Sequence, residues 1–553
     1  MWAFAVVSVV VAISRVVSSQ STATPVPVTG VRTGIDHNTG ERPRRLNIND
    51  FYARGGLQWD LYIQALQAFQ DVNETDPLSY FQISGIHGYP VQSWNGVEQV
   101  PGGINLGYCP HNEILFATWH RPFVALFEQE LVKHAVRIAK LYTRNGPTYQ
   151  AAAQSLRQPY WDWASDRNLP IAATLPNLTI NAYNGTATVS NPLRRYRFQR
   201  MPNFGGSGDV PLLHSETIRC ADAAGTDDPA KSNYNLNLNT TGDLTGQVYM
   251  AFTQAPRFEE MATAATPGSS FELPHNNVHN AAGCDNGTLR NIGWSAFEPL
   301  FMLHHANVDR LIAMWQAIHY NSSILNTTSL ALGTYGTANG TIVDADTPLK
   351  PFYDTNTTFH TSRTASDIRT FGYTYPEIND WNTTPDQLAS FVTSRVNDLY
   401  GQGTDGSPPK PALNPEKVAA SPSQLVSYSA EIRVERSEVP LPCNIDLVLG
   451  DHVLGRIALL GMPMSGVSYG TIPLGEALQK LNLGGMKEDT LVPYLQRHLE
   501  VIVRNSDGTV FSKRSTIPGL GVELQVRDFV PRASDTEFPK YGVARRMPVI
   551  KHA

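Results

Sequence analysis

Histidine is the residue whose spacing here points to chemistry. The 553-residue chain holds 15 histidines, and several fall in short, distinctive stretches. These are Gly85-Ile86-His87-Gly88, Cys109-Pro110-His111, Trp119-His120-Arg121-Pro122, His275-Asn276-Asn277-Val278-His279 and Leu303-His304-His305-Ala306. His275 and His279 are four apart, so a helix presents both rings on one face, as a metal requires of a single element. His120 belongs to the series Phe116, His120, Val124, Phe127, Leu131, whose three- and four-residue steps put it on a buried helical face. Buried neutral imidazoles suit copper, zinc, iron or nickel, and a set poor in carboxylates disfavours magnesium and calcium. Any one of these histidines alone is more simply a hydrogen-bonded core residue. Together they suggest two three-imidazole sites, each carried by a helix pair. The HNNVH stretch has the spacing of a zinc-hydrolase helix, but Asn276 stands where that reaction needs a glutamate base. Four cysteines are few for structural zinc. Six imidazoles without carboxylate ligands fit a pair of copper ions.

Three helical patterns position these residues. One runs from Asn49 to Phe69, capped by Asn49 or Asp50. A second spans about Asn112–Tyr142, and a third about Ser295–His319. Loops rich in Gly, Pro, Asn and Thr lie between them, at 165–250 and 320–370. Loops of that length in a globular domain usually shape or cover a site. Residues 400–423 are dense in Gly, Pro and Ser and read as a linker. Beyond it, Ser427–Arg433, Leu499–Arg504 and Gly521–Arg527 alternate apolar and polar residues, the mark of half-buried strands. The chain therefore divides into 20–399, a linker at 400–423, and a β-rich sandwich or barrel at 424–545.

The length calls for more than one domain, and 41% hydrophobic residues exclude a wholly disordered chain. Forty-three Lys and Arg against 49 Asp and Glu give a net charge of −6, without basic runs. That balance argues against nucleic acid as a partner. The apolar run Met1–Ile13, followed by small residues, reads as a signal peptide over 1–19 and is too short to span a membrane. Ten N-x-S/T sequons lie between Asn73 and Asn382 and none beyond. Both features fit a secreted, N-glycosylated protein.

Taken together, Cys109-Pro110-His111, Trp119-His120-Arg121-Pro122-Phe123, Pro159-Tyr160-Trp161-Asp162-Trp163, the HNNVH stretch and Leu303-His304-His305-Ala306-Asn307-Val308-Asp309-Arg310 resemble the motifs of fungal tyrosinases. Those enzymes are grouped with catechol oxidases and molluscan haemocyanins as type-3 copper proteins. The resemblance implies a mainly α catalytic core, a four-helix bundle carrying a dicopper site, with the β-rich domain behind it. It assigns His87, His111 and His120 to one copper, and His275, His279 and His305 to the other. Periodicity alone does not separate His305 from His304. The resemblance also implies a thioether from Cys109 to His111, which leaves Cys220 and Cys284 free to pair. Phe301 matches an aromatic residue packed on the second copper's ligands, and Ile292 matches a gate above that copper. Glu272 and Asn276 match a pair that holds a proton-accepting water. Asp309 is expected to orient a ligand, and Tyr373-Thr374-Tyr375 to pair with an early arginine such as Arg45.

The implied activity uses O2 to hydroxylate monophenols and to oxidise o-diphenols to o-quinones. The alternatives are a catechol oxidase limited to the second reaction and a haemocyanin-like O2 carrier. Partners are small phenols, O2 and an activating protease, since longer members of the family cover the copper site with the C-terminal domain until it is cut. The linker is the expected cleavage region, with Lys513-Arg514 and Arg545-Arg546 as dibasic alternatives.

Overall fold

The computed structural model describes residues 24–549 apart from 104–105, 203–213, 222–224, 238–242, 286, 402–424, 506–507 and 514–516. The leader and most of the linker read from the sequence lie outside the described residues. The first helical pattern divides in two, into α1 (Ile48–Arg54) and α2 (Leu57–Gln70). Gly55 and Gly56 separate them at φ 59° and 84°, backbone that a helix cannot contain. The cap is Asn47, whose side chain accepts from Asn49 N, and not Asn49 or Asp50 as expected. α3 (Tyr80–Gly85) is a short turn of helix, and α4 (Phe116–Ala139) is the long one. The expected start of α4 at Asn112 came four residues too early, because Asn112 is left-handed at φ 53°. Then follow α5 (Leu244–Gln254), α6 (Glu272–Gly283), α7 (Leu300–Ile318) and α8 (Pro385–Tyr400). The pattern beginning at Ser295 opens as a 3-10 turn, Ser295–Phe297, before α7 starts.

α2, α4, α6 and α7 frame the core. Phe69 of α2 meets Phe127 of α4 at 5.2 Å. Every residue of α6 and nearly all of α7 are buried, which explains why neither shows a clean polar stripe.

The C-terminal part is a two-sheet structure with its own hydrophobic core. Its strands are β1 (Leu425–Glu435), β2 (Cys443–Leu449), β3 (His452–Leu459), β4 (Val467–Pro473), β5 (Leu499–Arg504), β6 (Val510–Lys513), β7 (Gly521–Val530), β8 (Lys540–Tyr541) and β9 (Arg545–Pro548). One sheet runs β6-β5-β2-β3; the other runs β8-β7-β1-β4, with β9 also on β7. All pairs are antiparallel, with Gly521 opposite Arg433 and Phe529 opposite Leu425. The edge strands β3 and β4 turn towards the helical core. Arg545 and Arg546 pair across from Val526 and Gln525 in the sheet, so this dibasic pair is not in an extended loop. Among the described residues no helix is long and apolar enough to cross a membrane.

Candidate metal centre

The first three histidines do not come from a helix pair, as the sequence suggested. His87 follows the end of α3, His111 sits in a loop, and only His120 lies within a helix, α4. Glycine makes this loop packing possible. A Cβ on Gly107 would lie 2.2 Å from His87 O, and one on Gly88 would lie 2.4 Å from Gly293 O. The three rings form a near-equilateral group, with centroids 5.3, 5.4 and 5.7 Å apart. His275 and His279 lie one turn apart on α6, and His305 faces them from α7. Their centroids are 4.6, 4.8 and 5.5 Å apart. The two groups meet directly: His120 stacks on His305 at 4.5 Å, and His111 lies parallel to His275 at 5.9 Å.

Hydrogen bonds behind the rings orient them. Nδ1 of His87 bonds Ile292 O at 3.2 Å, that of His120 bonds Phe116 O at 2.7 Å, and that of His279 bonds Leu289 O at 2.8 Å. Nδ1 of His275 bonds Asn276 Oδ1 at 2.9 Å. Each acceptor is an oxygen, so Nδ1 carries the proton and Nε2 points inward with a bare lone pair. His87 Nε2 has no partner among the described residues. His275 Nε2 and His279 Nε2 each lie 3.3 Å from His305 Nε2. His305 has at most one proton to offer the two, whereas a cation between them satisfies all three nitrogens. Desolvation by burial lowers the pKa of all six rings, reinforced by neighbouring imidazoles at every one except His279; His120 falls to about 3 and His279 to about 4. They are therefore neutral at physiological pH, as metal ligation requires. Two ions, one per trio, fit this donor set.

Cys109 Sγ lies 3.3 Å from His111 Nδ1 and 3.8 Å from Nε2, against the ring edge between them. It also lies 3.1 Å from His120 Nε2. Phe301 stacks on His305 at 4.1 Å and meets His87 edge-on at 4.9 Å, so it braces both groups. Ile292 anchors His87 through its carbonyl, and its buried side chain packs against the 460–466 loop: a Cβ on Gly461 would lie 3.8 Å from Ile292 Cγ2. Glu272 opens α6 and accepts from Asn112 N at 2.6 Å, Ala264 N at 2.8 Å and Thr263 Oγ1 at 2.8 Å. Burial raises its pKa despite those donors.

Among the described residues Asp309 bonds none of the site's imidazoles; it accepts instead from Arg121 Nε at 2.5 Å, Arg45 Nη1 at 3.1 Å, Tyr373 OH at 2.5 Å and Tyr375 OH at 2.6 Å. Burial pushes its carboxyl up, and the two guanidinium groups more than reverse this, leaving it below the usual range. The Tyr-x-Tyr pairing with Arg45 holds: Arg45 Nη1 donates to Tyr375 OH at 3.0 Å and lies 3.5 Å over the Tyr373 ring. Cys220 and Cys284 form a disulfide, and Cys443 is a buried free thiol.

Sequence reasoning missed Arg436. It is buried and pulled down to about 10 by desolvation, and its guanidinium bonds the carbonyls of Leu460 and Pro463 and Ser468 Oγ. Nothing in the local sequence marks it, since its partners are 24 to 32 residues away.

The family model for the common central domain of tyrosinase matches residues 77–318, and that for the tyrosinase C-terminal domain matches 427–524. A tyrosinase from Podospora anserina is 35% identical over 409 residues, 69% of this chain and 70% of that protein. The chain belongs to the tyrosinase family. Polyphenol oxidase 4 of Agaricus bisporus is 33% identical over 391 residues, 68% of this chain and 63% of that protein. A crystal structure of latent and active mushroom tyrosinase superposes with a TM-score of 0.81 at 25% identity, covering 94% of this chain and 98% of that one. The two histidine-rich groups, one of His87, His111 and His120 with Cys109 and the other of His275, His279, His304 and His305, fit the type-3 dicopper centre of a tyrosinase or polyphenol oxidase.

Proposed function

We propose that the chain is a secreted, latent tyrosinase that converts monophenols and o-diphenols to o-quinones. The net reaction for a monophenol is phenol plus O2 giving o-quinone plus water; two catechols and one O2 give two quinones and two waters. The copper pair supplies O2 binding and the electron exchange. The protein's own residues do the rest. His87, His111 and His120 would hold one ion through inward-facing nitrogens, and His275, His279 and His305 the other. Phe301 fixes the His305 ring by stacking, and Cys109 is placed to restrain His111. The space enclosed by the two histidine groups is lined by imidazole and aromatic rings, which exclude water.

The observation that carries monophenol chemistry is Glu272 beside Asn276 on the helix of His275. A carboxylate whose pKa burial has raised is a suitable acceptor for a phenol proton passed through water. The second reading, oxidation of o-diphenols only, is favoured by Glu272 already holding three donors. The test is Glu272→Gln in the activated enzyme. Monophenol hydroxylation should fall ~100-fold while catechol oxidation stays within severalfold; an equal fall in both would assign Glu272 to structure alone.

Latency is supported by the burial of the centre, where none of the six ligands is more than 4% exposed. The loop between β3 and β4 lies over Ile292 at Gly461 and is held by Arg436. An activating protease would cut in 402–424. Secretion is supported by the sequons: Asn73, Asn177, Asn184, Asn321, Asn326, Asn339, Asn356 and Asn382, all those described, are exposed. Endoglycosidase treatment of the secreted protein should lower its mass.

A further inference from the structure

The contact between the two cores is made by side chains that read main chain. β3 and β4 are the edge strands that face the helical core. Such edges expose unpaired N–H and C=O groups and demand a partner. Against β3, Asn277 of α6 accepts from Ala458 N at 2.9 Å and donates to Arg456 O at 3.1 Å, filling the place of a neighbouring strand. Against β4, Asn112 from the loop before α4 donates to Val467 O at 2.9 Å and accepts from Ser468 Oγ at 2.8 Å. Tyr469 N donates to Ala264 O at 2.7 Å, and Thr471 Oγ1 donates to Gly268 O at 2.9 Å. Gly268 N donates to Glu431 Oε2 at 3.0 Å, and the side chains of Asn280 and Asn444 bond each other.

A second patch lies far along the chain. Asn397 of α8 donates to Asp535 O at 2.7 Å and Glu537 O at 2.9 Å, and Phe538 meets Tyr249 at 6.1 Å. Asn397 lies just before the linker begins, so the two halves are tied together at its near end as well as at the copper face. Leu273 of α6 belongs to the hydrophobic core of the β part. None of these bonds passes through 402–424.

We propose that the helical core carries a backbone-reading surface, built on Asn112, Ala264, Asn277 and Asn397, that holds the β domain after the linker is cut. Cutting is then not opening: the copper centre stays covered until strand edges β3 and β4 are pulled from Asn277 and Asn112. The surface fits extended main chain with free donors and acceptors, and its occupant is this chain's own β domain. Two observations carry this. Four main-chain groups of the edge strands, Arg456 O, Ala458 N, Val467 O and Tyr469 N, take partners from the helical core among the described residues, and removing the core strips those partners away. The asparagines that satisfy them neighbour the ligands His111, His275 and His279, so the surface and the copper centre share elements. The inference rests on the latency reading and adds to it a second, non-covalent barrier.

The experiment uses the full copper-loaded chain with a specific protease site placed in 402–424. After cutting, the fragments should co-elute in gel filtration at about 1 µM, and catechol oxidation should stay at the uncut level. Titrating urea on the cut protein should part the fragments and raise the rate at least ~10-fold at the same concentration. The double variant Asn444→Ala/Ser468→Ala, which strips partners from Asn280 and Asn112, should part at lower urea. Fragments that separate in buffer alone, with an active core, overturn this inference and leave latency standing. An unshifted release midpoint in the double variant overturns it as well. An uncut chain as fast as the separated core overturns latency and the inference together.

Discussion

His304 and His305 are adjacent on one buried helix, and a matched pair of substitutions separates them. His305 Nε2 lies 3.3 Å from the inward nitrogens of both His275 and His279. His304 stacks on His275 at 4.9 Å, meets His279 edge-on at 4.7 Å, and has no partner for either ring nitrogen among the described residues. Phenylalanine keeps an aromatic ring that can stack and removes both nitrogens, at the cost of a somewhat larger six-membered ring. In His305→Phe the second copper loses one of three ligands. Loss of a partner that merely supports a ligand weakens metal binding 10- to 100-fold, so losing the ligand itself should cost at least ~100-fold, or ~2.7 kcal/mol. In His304→Phe no ligand is lost. Two buried polar atoms without partners disappear, each worth about 1–3 kcal/mol when unsatisfied, which offsets about 1–3 kcal/mol of crowding by the larger ring, so the variant should stay folded. The assay is copper per chain after dialysis against a graded chelator, with circular dichroism to confirm folding. His305→Phe should hold one copper where the parent holds two, and His304→Phe should hold both. Copper loss in folded His304→Phe, or full retention in His305→Phe, would refute the assignment.

Acid should destabilise the metal-free chain in a defined window. The buried histidines have folded pKa values below the ordinary 6.5, so above pH 6.5 they are neutral in both states and contribute no pH dependence. As pH falls below 6.5 the unfolded chain takes up protons first, and the loss is complete near the folded pKa. For His279, lowered to about 4, that is roughly 3 kcal/mol; urea unfolding between pH 7 and 4 measures it. Asp309→Asn leaves Arg45 and Arg121 buried beside a neutral group and should cost about 3–5 kcal/mol in the same assay. Replacing Cys220 and Cys284 by serine opens a link across 64 residues and should cost about 4 kcal/mol in the loop-entropy account.

Much of the centre was legible in the chain because its signals are local. The four-residue step from His275 to His279 needs only a helix to become a pair of ligands, and the alternation in Leu499–Arg504 needs only a sheet. The errors came where one residue's backbone overrode a pattern. Gly55-Gly56 broke an apparently continuous helix, and left-handed Asn112 delayed α4. Asp309 was misread because its spacing from His305 placed it correctly on the helix, while its partners, Arg45, Arg121, Tyr373 and Tyr375, come from three other segments.

The sequence by itself determined the chemistry: six imidazoles, few competing carboxylates, and two kinds of domain, since residue type and short-range spacing decide donor character and secondary structure. Only the tertiary structure decided that both rings of the His304-His305 pair lie against His275 and His279, with His305 Nε2 3.3 Å from the inward nitrogens of each. It also decided that loops rather than a helix supply His87 and His111, and that asparagines beside the ligands grip the edges of a distant sheet. Those choices depend on contacts between residues up to hundreds of positions apart, such as Asn112 with Ser468, and no local pattern encodes a distance that the folded chain alone brings to hydrogen-bond length.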